Sequence, residues 1–363
     1  MWTERAFIVF LGGLAEQVEH VVMPGRLHPD EGRDPVAHYP VPAEIEFVPL
    51  PWYGSLASPL AAGRALLGSL RAFWHVLDDV DAVWLLGPHP MCFAFAALAA
   101  LRGRRVALGV RQDLPAYTRN RHPDRRSIQL MAQALEVGYR LLARACPTAV
   151  VGPDLAHRYR HARRLLPISV SLIRDADIAA EPPAREREGE LRALSVGRLE
   201  AEKNPLMLAD VLAELGPDSG WALTVCGEGP LARELEQRLA GLGVEDRAAL
   251  VGYVPIDGGL LELYRESDAL LHVSWTEGVP QILFEAFAAG LPVVATAVGG
   301  VADAVGDAAL LIPPGDPRAA AEALERLAAD AELRDRLARA GLARVRESTL
   351  EAESARLARF LAA

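Results

Sequence analysis

Glu277 and Glu285 flank a Gly/Pro turn and the first turns of a helix, and the segment AFAAGLPVVATAVGG follows at once. Gly290 and Pro292 end that helix, and the β-branched run from Pro292 to Thr296 reads as a buried parallel strand. Eight positions at about 100° each leave the two carboxylates roughly 80° apart on a helix, so one shared helical face does not explain the pairing. Glu277 is therefore expected in the loop and Glu285 near the second turn. Both then point toward the helix N-terminus, where free N–H groups and the dipole favour an anion such as a phosphate. Two solvated glutamates on an ordinary strand-loop-helix satisfy the same spacing.

At 363 residues the chain exceeds a typical single core, and two domains of about 180 residues are expected. Apolar residues make up 51% and charged ones 24%, the balance of a soluble protein. Cys92, Cys146 and Cys226 are odd in number, far apart and never in a C-x-x-C pair, so neither a disulfide framework nor a zinc site is indicated, and a reducing cytoplasm fits best. The run from Ala6 to Ala15 lacks the basic flank of a signal peptide, and no run reaches the roughly 20 apolar residues of a membrane span. Residues 1–177 carry a net charge of +3 and residues 178–363 a net −13, which points to different ligands for the two halves.

Residues 178–190, with two prolines and alternating charges, read as a linker. It separates a first domain over 1–177 from a second over 191–347, with a final helix over 348–363. On both sides short apolar runs alternate with helical patterns, as in doubly wound α/β domains. The expected strands are 20–23, 45–48, 82–86, 106–110, 149–151 and 168–172, then 191–196, 222–226, 249–251, 269–273 and 293–295. Helices are expected over 59–77, 91–101 and 125–145. Trp2, Ala6, Val9, Phe10, Leu14 and Val18 follow helical spacing, so a helix from about Trp2 to Gln17 is expected. Asp316-Pro317 reads as an N-cap with Pro at the first helical position, and Ser348 with Glu351 as a capping box.

Arg198 and Lys203 follow the strand 191–196 at a loop containing Gly197, which puts two cations at the carboxyl end of a parallel sheet. A guanidinium fork and an ammonium suit a diphosphate, although two surface cations have the same spacing. Gly227-Glu228-Gly229 is a Gly turn after a strand. Tyr253 is equally readable as a ligand contact, a core aromatic or a surface aromatic.

The ordered blocks SVGRLEAEKN (195–204), VCGEGP (225–230), VGYVP (251–255) and E-x7-E with PVVAT-x-VGG resemble the donor site of family 4 glycosyltransferases, over about Leu191 to Asp316. The resemblance implies a GT-B fold: two Rossmann-like domains facing a cleft, with the nucleotide-sugar held by the second, the acceptor by the first, and the final helix packed back on the first. Here the N-terminal domain would lack its usual first strand and Gly loop. By the same resemblance Arg198 and Lys203 hold the diphosphate and stabilise charge as the glycosidic bond breaks. Glu277 contacts the donor sugar together with the main chain of Gly278, Val279 and Gln281, and Glu285 accepts from the ribose hydroxyls. Gly227 lines the cleft, and Tyr253 and Val254 meet the nucleobase. Pro280 removes one N–H that the commoner G-F-G sequence keeps, so Gln281 takes more of the contact.

The resemblance further implies transfer of a hexosyl unit from a UDP-, GDP- or ADP-sugar with retention, without a metal or other cofactor. Departures from the family lie in the first half. Arg111-Gln112-Asp113 stands where many members have a His, and Arg174-Asp175-Ala176-Asp177 replaces an N-G-x-D turn. Asp175 and Asp177 mimic a metal-binding D-x-D, but that motif belongs to a fold without E-x7-E. Arg clusters at 102–105, 119–126 and 158–164 are either a solvated face or an acceptor side resting on anionic lipid at the inner face of the membrane; no nucleic-acid motif accompanies them. A nucleotide-sugar 2-epimerase of the same fold and a non-catalytic partner subunit are the alternatives.

Overall fold

The computed structural model describes residues 2–3, 7–26, 39–52, 59–121, 124–183 and 189–363. It forms two compact units, one of residues 1–170 with 351–363 and the other of residues 171–350.

The second unit holds a six-stranded, all-parallel sheet. In spatial order its strands are Ala248–Gly252, Trp221–Cys226, Leu191–Val196, Ala269–His272, Val293–Thr296 and Ala309–Ile312. Numbered along the chain this is 3-2-1-4-5-6, the order of dinucleotide-binding folds. Alternate residues of the four inner strands feed opposite clusters: Ala193, Val225, Leu271 and Val294 enter one, and Leu194, Cys226, Leu270 and Val293 the other. Burial on both faces is what makes these strands continuous apolar runs. Helices Met207–Glu214 and Pro317–Ala329 cover the first cluster, and Leu260–Glu266 and Gln281–Ala288 the second. Asp316 caps its helix by accepting from Ala319 N at 2.9 Å.

The first unit carries a four-stranded parallel sheet in the order Ala82–Gly87, Arg105–Val110, Pro147–Val151, Arg164–Ile168, and a separate parallel pair, Val21–Arg26 with Ile45–Leu50. Its apolar cluster is built on Phe73, Leu85, Leu108, Tyr139 and Val150.

Four boundaries depart from the sequence reading. The first helix spans Phe7–Ala15, while Trp2–Thr3 pairs antiparallel with Tyr39–Pro40; positions 4–6 of the expected helix lie outside the described residues. The strand expected at 168–172 is Arg164–Ile168, because that register pairs it with Pro147–Val151, and Ser169 N instead donates to Glu353 Oε2 at 2.9 Å. The division between units falls at 170/171, ahead of the expected linker. Ala179 N donates to Ala288 O at 2.8 Å and Arg346 donates to Ala179 O and Ala180 O, which tie this segment to the second unit; residues 184–188 lie outside the described residues. The last helix starts at Leu350, so Thr349 and not Ser348 precedes it directly.

That helix, Leu350–Ala362, is fastened to the first unit. Glu353, 1% exposed, accepts from Ser169 N, Arg356 donates to Pro167 O at 3.1 Å, and Arg164 lies over the Phe360 ring at 4.8 Å. The strand Ala309–Ile312 went unread in the sequence, since a four-residue edge strand gives too little periodicity.

Candidate functional site

In an open α/β sheet the crevice outside the carboxyl ends opens where chain order reverses, here between Leu191–Val196 and Ala269–His272. The loops leaving these two strands bound a cavity of about 110 Å³ lined by Gly197, Arg198, Lys203, His272, Ser274, Glu277 and Gln281, among others.

Glu277 is the node. Its Oε1 receives Lys203 Nζ at 2.5 Å, Ser274 Oγ at 2.7 Å and His272 Nε2 at 3.0 Å. Its Oε2 accepts from none of the described residues and is the carboxylate face left for a ligand. Ser274 is itself positioned by the fold, since Thr296 Oγ1 donates to its carbonyl at 2.8 Å. Burial by itself raises the Glu277 carboxyl, but the His272 hydrogen bond and the Lys203 ammonium outweigh it and hold the group at about 2. At neutral pH Glu277 is therefore an acceptor only, suited to hydroxyl donors. His272 is 4% exposed, its Nε2 lies 3.0 Å from Glu277 Oε1 and 3.1 Å from Ser274 Oγ, and Nδ1 finds no partner among the described residues.

Glycines bring these loops together. Gly227 has φ +146°, and a Cβ there would lie 1.9 Å from Gly197 O; its N–H donates to Gly252 O at 2.7 Å, and Gly197 N donates to Cys226 O at 3.0 Å. Three neighbouring strand ends are thereby laced at one edge. Gly299 has φ +52° and a Cβ position 1.9 Å from Glu277 O, while Gly300 N donates to Gly278 O at 3.1 Å. The VGG segment thus buttresses the loop that carries Glu277.

The other sequence-selected residues are distributed along the same edge. Arg198 is largely exposed and paired with Glu200 and, at 3.1 Å, with Glu202. The main-chain N–H groups of Gly278, Val279 and Gln281 donate to none of the described residues, and Gln281 Oε1 is buried with no partner among them. Glu285 lies in the second turn of Gln281–Ala288, 6% exposed, and does not line the cavity with Glu277. Burial raises its carboxyl while the Tyr264 hydroxyl, donating to Oε2 at 2.7 Å, works against that rise. Tyr253 and Val254 follow the edge strand Ala248–Gly252, half-buried and outside the cavity. Asp177 is spent on its own turn, accepting from Arg174 N at 3.1 Å. No cluster of three His, Cys, Asp or Glu able to hold a metal occurs among the described residues.

Sequence reasoning missed His272, Ser274 and Tyr264. A His and a Ser at the carboxyl end of an otherwise apolar strand were the available signal for the first two. Lys203 carried a further one: it is the only lysine among 38 basic residues, so a compact ammonium stands where this chain otherwise uses Arg.

Residues 178–344 match the family Glycosyl transferases group 1. D-inositol 3-phosphate glycosyltransferase of Corynebacterium efficiens is 34% identical over 51% of this chain and 47% of its own length. The chain spans less than two thirds of the length of the curated relatives it matches here. Among solved structures, sucrose-phosphate synthase from Thermosynechococcus elongatus superposes with a TM-score of 0.70 at 19% identity, covering 97% of this chain and 91% of that one. HepE from Anabaena, solved with UDP, gives 0.66 at 18% identity over 89% and 86%. These likenesses establish the α/β fold with two Rossmann-like units.

Proposed function

With a glycosyl transferases group 1 segment over residues 178–344 as the premise, we propose that the protein is a retaining, metal-independent glycosyltransferase using a nucleotide-sugar. The observation that supports this reading best is the convergence of Lys203, His272 and Ser274 on Glu277 Oε1 at the sheet's reversal point. Arg198 and Lys203 take the donor diphosphate, helped by the free N–H groups of Gly278, Val279 and Gln281 at a helix N-terminus. Lys203 rests on Glu277 in the free protein, and its remaining donors serve the phosphate. Glu277 Oε2 accepts from a sugar hydroxyl. Glu285 serves the ribose and Tyr253 with Val254 the base.

In the reaction the sugar C1–O bond to the diphosphate breaks and a C1–O bond to the acceptor forms on the same face. The acceptor proton passes to the departing phosphate oxygen, so no side-chain base is needed. Arg198, Lys203 and the helix N-terminus stabilise the charge on the leaving diphosphate. We assign the acceptor to the first unit, whose Arg clusters suit an anionic membrane surface on the cytoplasmic side. No helix among the described residues is long and apolar enough to cross a membrane. The 2-epimerase alternative gains no support from the relatives above.

A thermal-shift screen of UDP-, GDP- and ADP-sugars tests the donor: one should raise the melting temperature with concentration, and no response to any would overturn the reading. Turnover or hydrolysis of that donor separates an enzyme from a non-catalytic subunit. Activity should persist in excess EDTA, and a loss restored by Mn²⁺ or Mg²⁺ would remove the metal-independent mechanism.

A further inference from the structure

The helix Arg126–Ala143 turns Ala132, Glu136, Tyr139 and Ala143 inward and an unusual face outward. Leu130, Met131, Val137 and Leu141 are 64%, 53%, 54% and 56% exposed. At about 100° per residue Leu130, Ala134, Val137 and Leu141 fall within an arc of about 60°, and Arg126, Arg140 and Arg144 run along one side of it. The helix has one acid, Glu136, and it is 3% exposed. Arg126, Arg140 and Arg144 are exposed and form no ion pair with the described residues. Beside the stripe lies a cavity of about 160 Å³ lined by Val137, Leu141, Arg140, Arg144, Arg158 and His161.

An exposed apolar stripe of this size needs a partner. The flanking guanidiniums form no ion pair with the described residues and the helix itself exposes no acid, which favours an anionic partner, and a bilayer offers acyl chains beneath a layer of phosphates. Leucine and valine side chains then enter the acyl boundary while the guanidiniums remain at phosphate level. We propose that this face of Arg126–Ala143 is an in-plane docking surface for an anionic membrane leaflet, with a lipid phosphate received by the cavity beside it. The inference deepens the membrane part of the functional reading and rests on it; it is independent of the donor chemistry.

The test is co-sedimentation of the full chain with vesicles of phosphatidylglycerol and phosphatidylcholine, against phosphatidylcholine alone, at low and high salt. The wild type should bind only the anionic vesicles and release them as salt rises, because the Debye length shrinks to about 3 Å at 1 M. Leu130→Gln with Leu141→Gln should lower the partition coefficient about tenfold even at low salt. Arg140→Gln and Arg144→Gln should each lower it about fivefold and flatten the salt dependence. All four positions are exposed, so the melting temperature should hold, and calorimetric nucleotide affinity should be unchanged. Undiminished vesicle binding by the leucine variant would overturn this surface while leaving membrane contact in place. Absence of wild-type binding to any vesicle would remove both. A wild-type dimer, seen by light scattering and made monomeric by Leu130→Gln with Leu141→Gln, would assign the face to a second copy of the chain and overturn the proposal.

Discussion

At the carboxyl ends of the second unit's sheet, buried polar groups converge on one carboxylate oxygen and leave its twin open; at the corresponding ends of the first unit's sheet they are consumed by the scaffold. There Arg111 lies over the Phe7 ring at 3.7 Å and Asp113 pairs with Arg158 at 2.6 Å, so the segment after Val110 holds its own unit together. Both units place polar residues after a central parallel strand. What separates them is the direction of the unused valences: Glu277 Oε2 and the N–H groups of Gly278 and Val279 have no partner among the described residues, whereas Asp113 is committed to Arg158. A strand end therefore becomes a site only where its partners satisfy part of each polar group.

Within the second unit the two glutamates form a sharper contrast, and it should give the largest effect. Glu277 titrates at about 2 in the folded protein and at an ordinary 4.5 otherwise. Its pairing thus adds stability that is complete above pH 4.5 and is lost as pH falls from about 4.5 to 2, with a size of roughly 3 kcal/mol. Glu285 has the opposite sign: burial raises its folded value, so its ionisation opposes folding at neutral pH and the cost is relieved as pH falls through that raised value. Urea titrations at pH 7 should show Glu277→Gln less stable than wild type by up to about 3 kcal/mol and Glu285→Gln at least as stable. The Glu277→Gln deficit should shrink as pH is lowered toward 3. Equal destabilisation by both would break the contrast. On function, Glu285→Gln should weaken the bare nucleotide, whereas Glu277→Gln should spare it and depress sugar-donor turnover.

Next in size, Lys203→Ala and Arg198→Ala should each cost about 1.5–3 kcal/mol of nucleoside-diphosphate affinity by calorimetry. Lys203→Ala should also lower the melting temperature, because it leaves Glu277 buried with two partners instead of three. Arg198 pairs only at the surface, so its removal should leave stability nearly unchanged. Unaltered affinity in both variants would end the diphosphate assignment.

Tyr264→Phe should cost about 1 kcal/mol of stability by removing its hydrogen bond to Glu285 Oε2. A parallel fall in nucleotide affinity would show that the tyrosine also orients that carboxylate. Smallest of all, Arg125→Gln with Arg126→Gln should leave nucleotide affinity unchanged. Any loss there would mean that the two units do not divide donor and acceptor work.

Much of the second unit was legible because its inner strands are buried on both faces and read as uninterrupted apolar runs, with Gly and Pro marking their ends. Glu277 in the loop and Glu285 in the second helical turn followed from the 100° periodicity. The first unit was less legible. Its last strand carries Pro167 and ends where Ser169 N leaves the ladder for Glu353, 184 residues away in sequence. The segment 178–183 looked like a linker by composition, yet Ala179 and Ala180 are held by Ala288 and Arg346.

Sequence alone therefore determined the alternation of strands and helices, the Gly turns that let loops approach closely, and which residues were chemically fit to meet a diphosphate. These follow from local periodicity and from backbone conformations that only some residues adopt. Tertiary structure alone decided that Lys203, His272 and Ser274 share one oxygen of Glu277, that Tyr264 faces Glu285, and that the final helix belongs to the first unit. The cluster on Glu277 joins the ends of strands made neighbours by the 3-2-1-4-5-6 order of a parallel sheet, and the other two contacts join elements 21 or more residues apart; no local pattern encodes either.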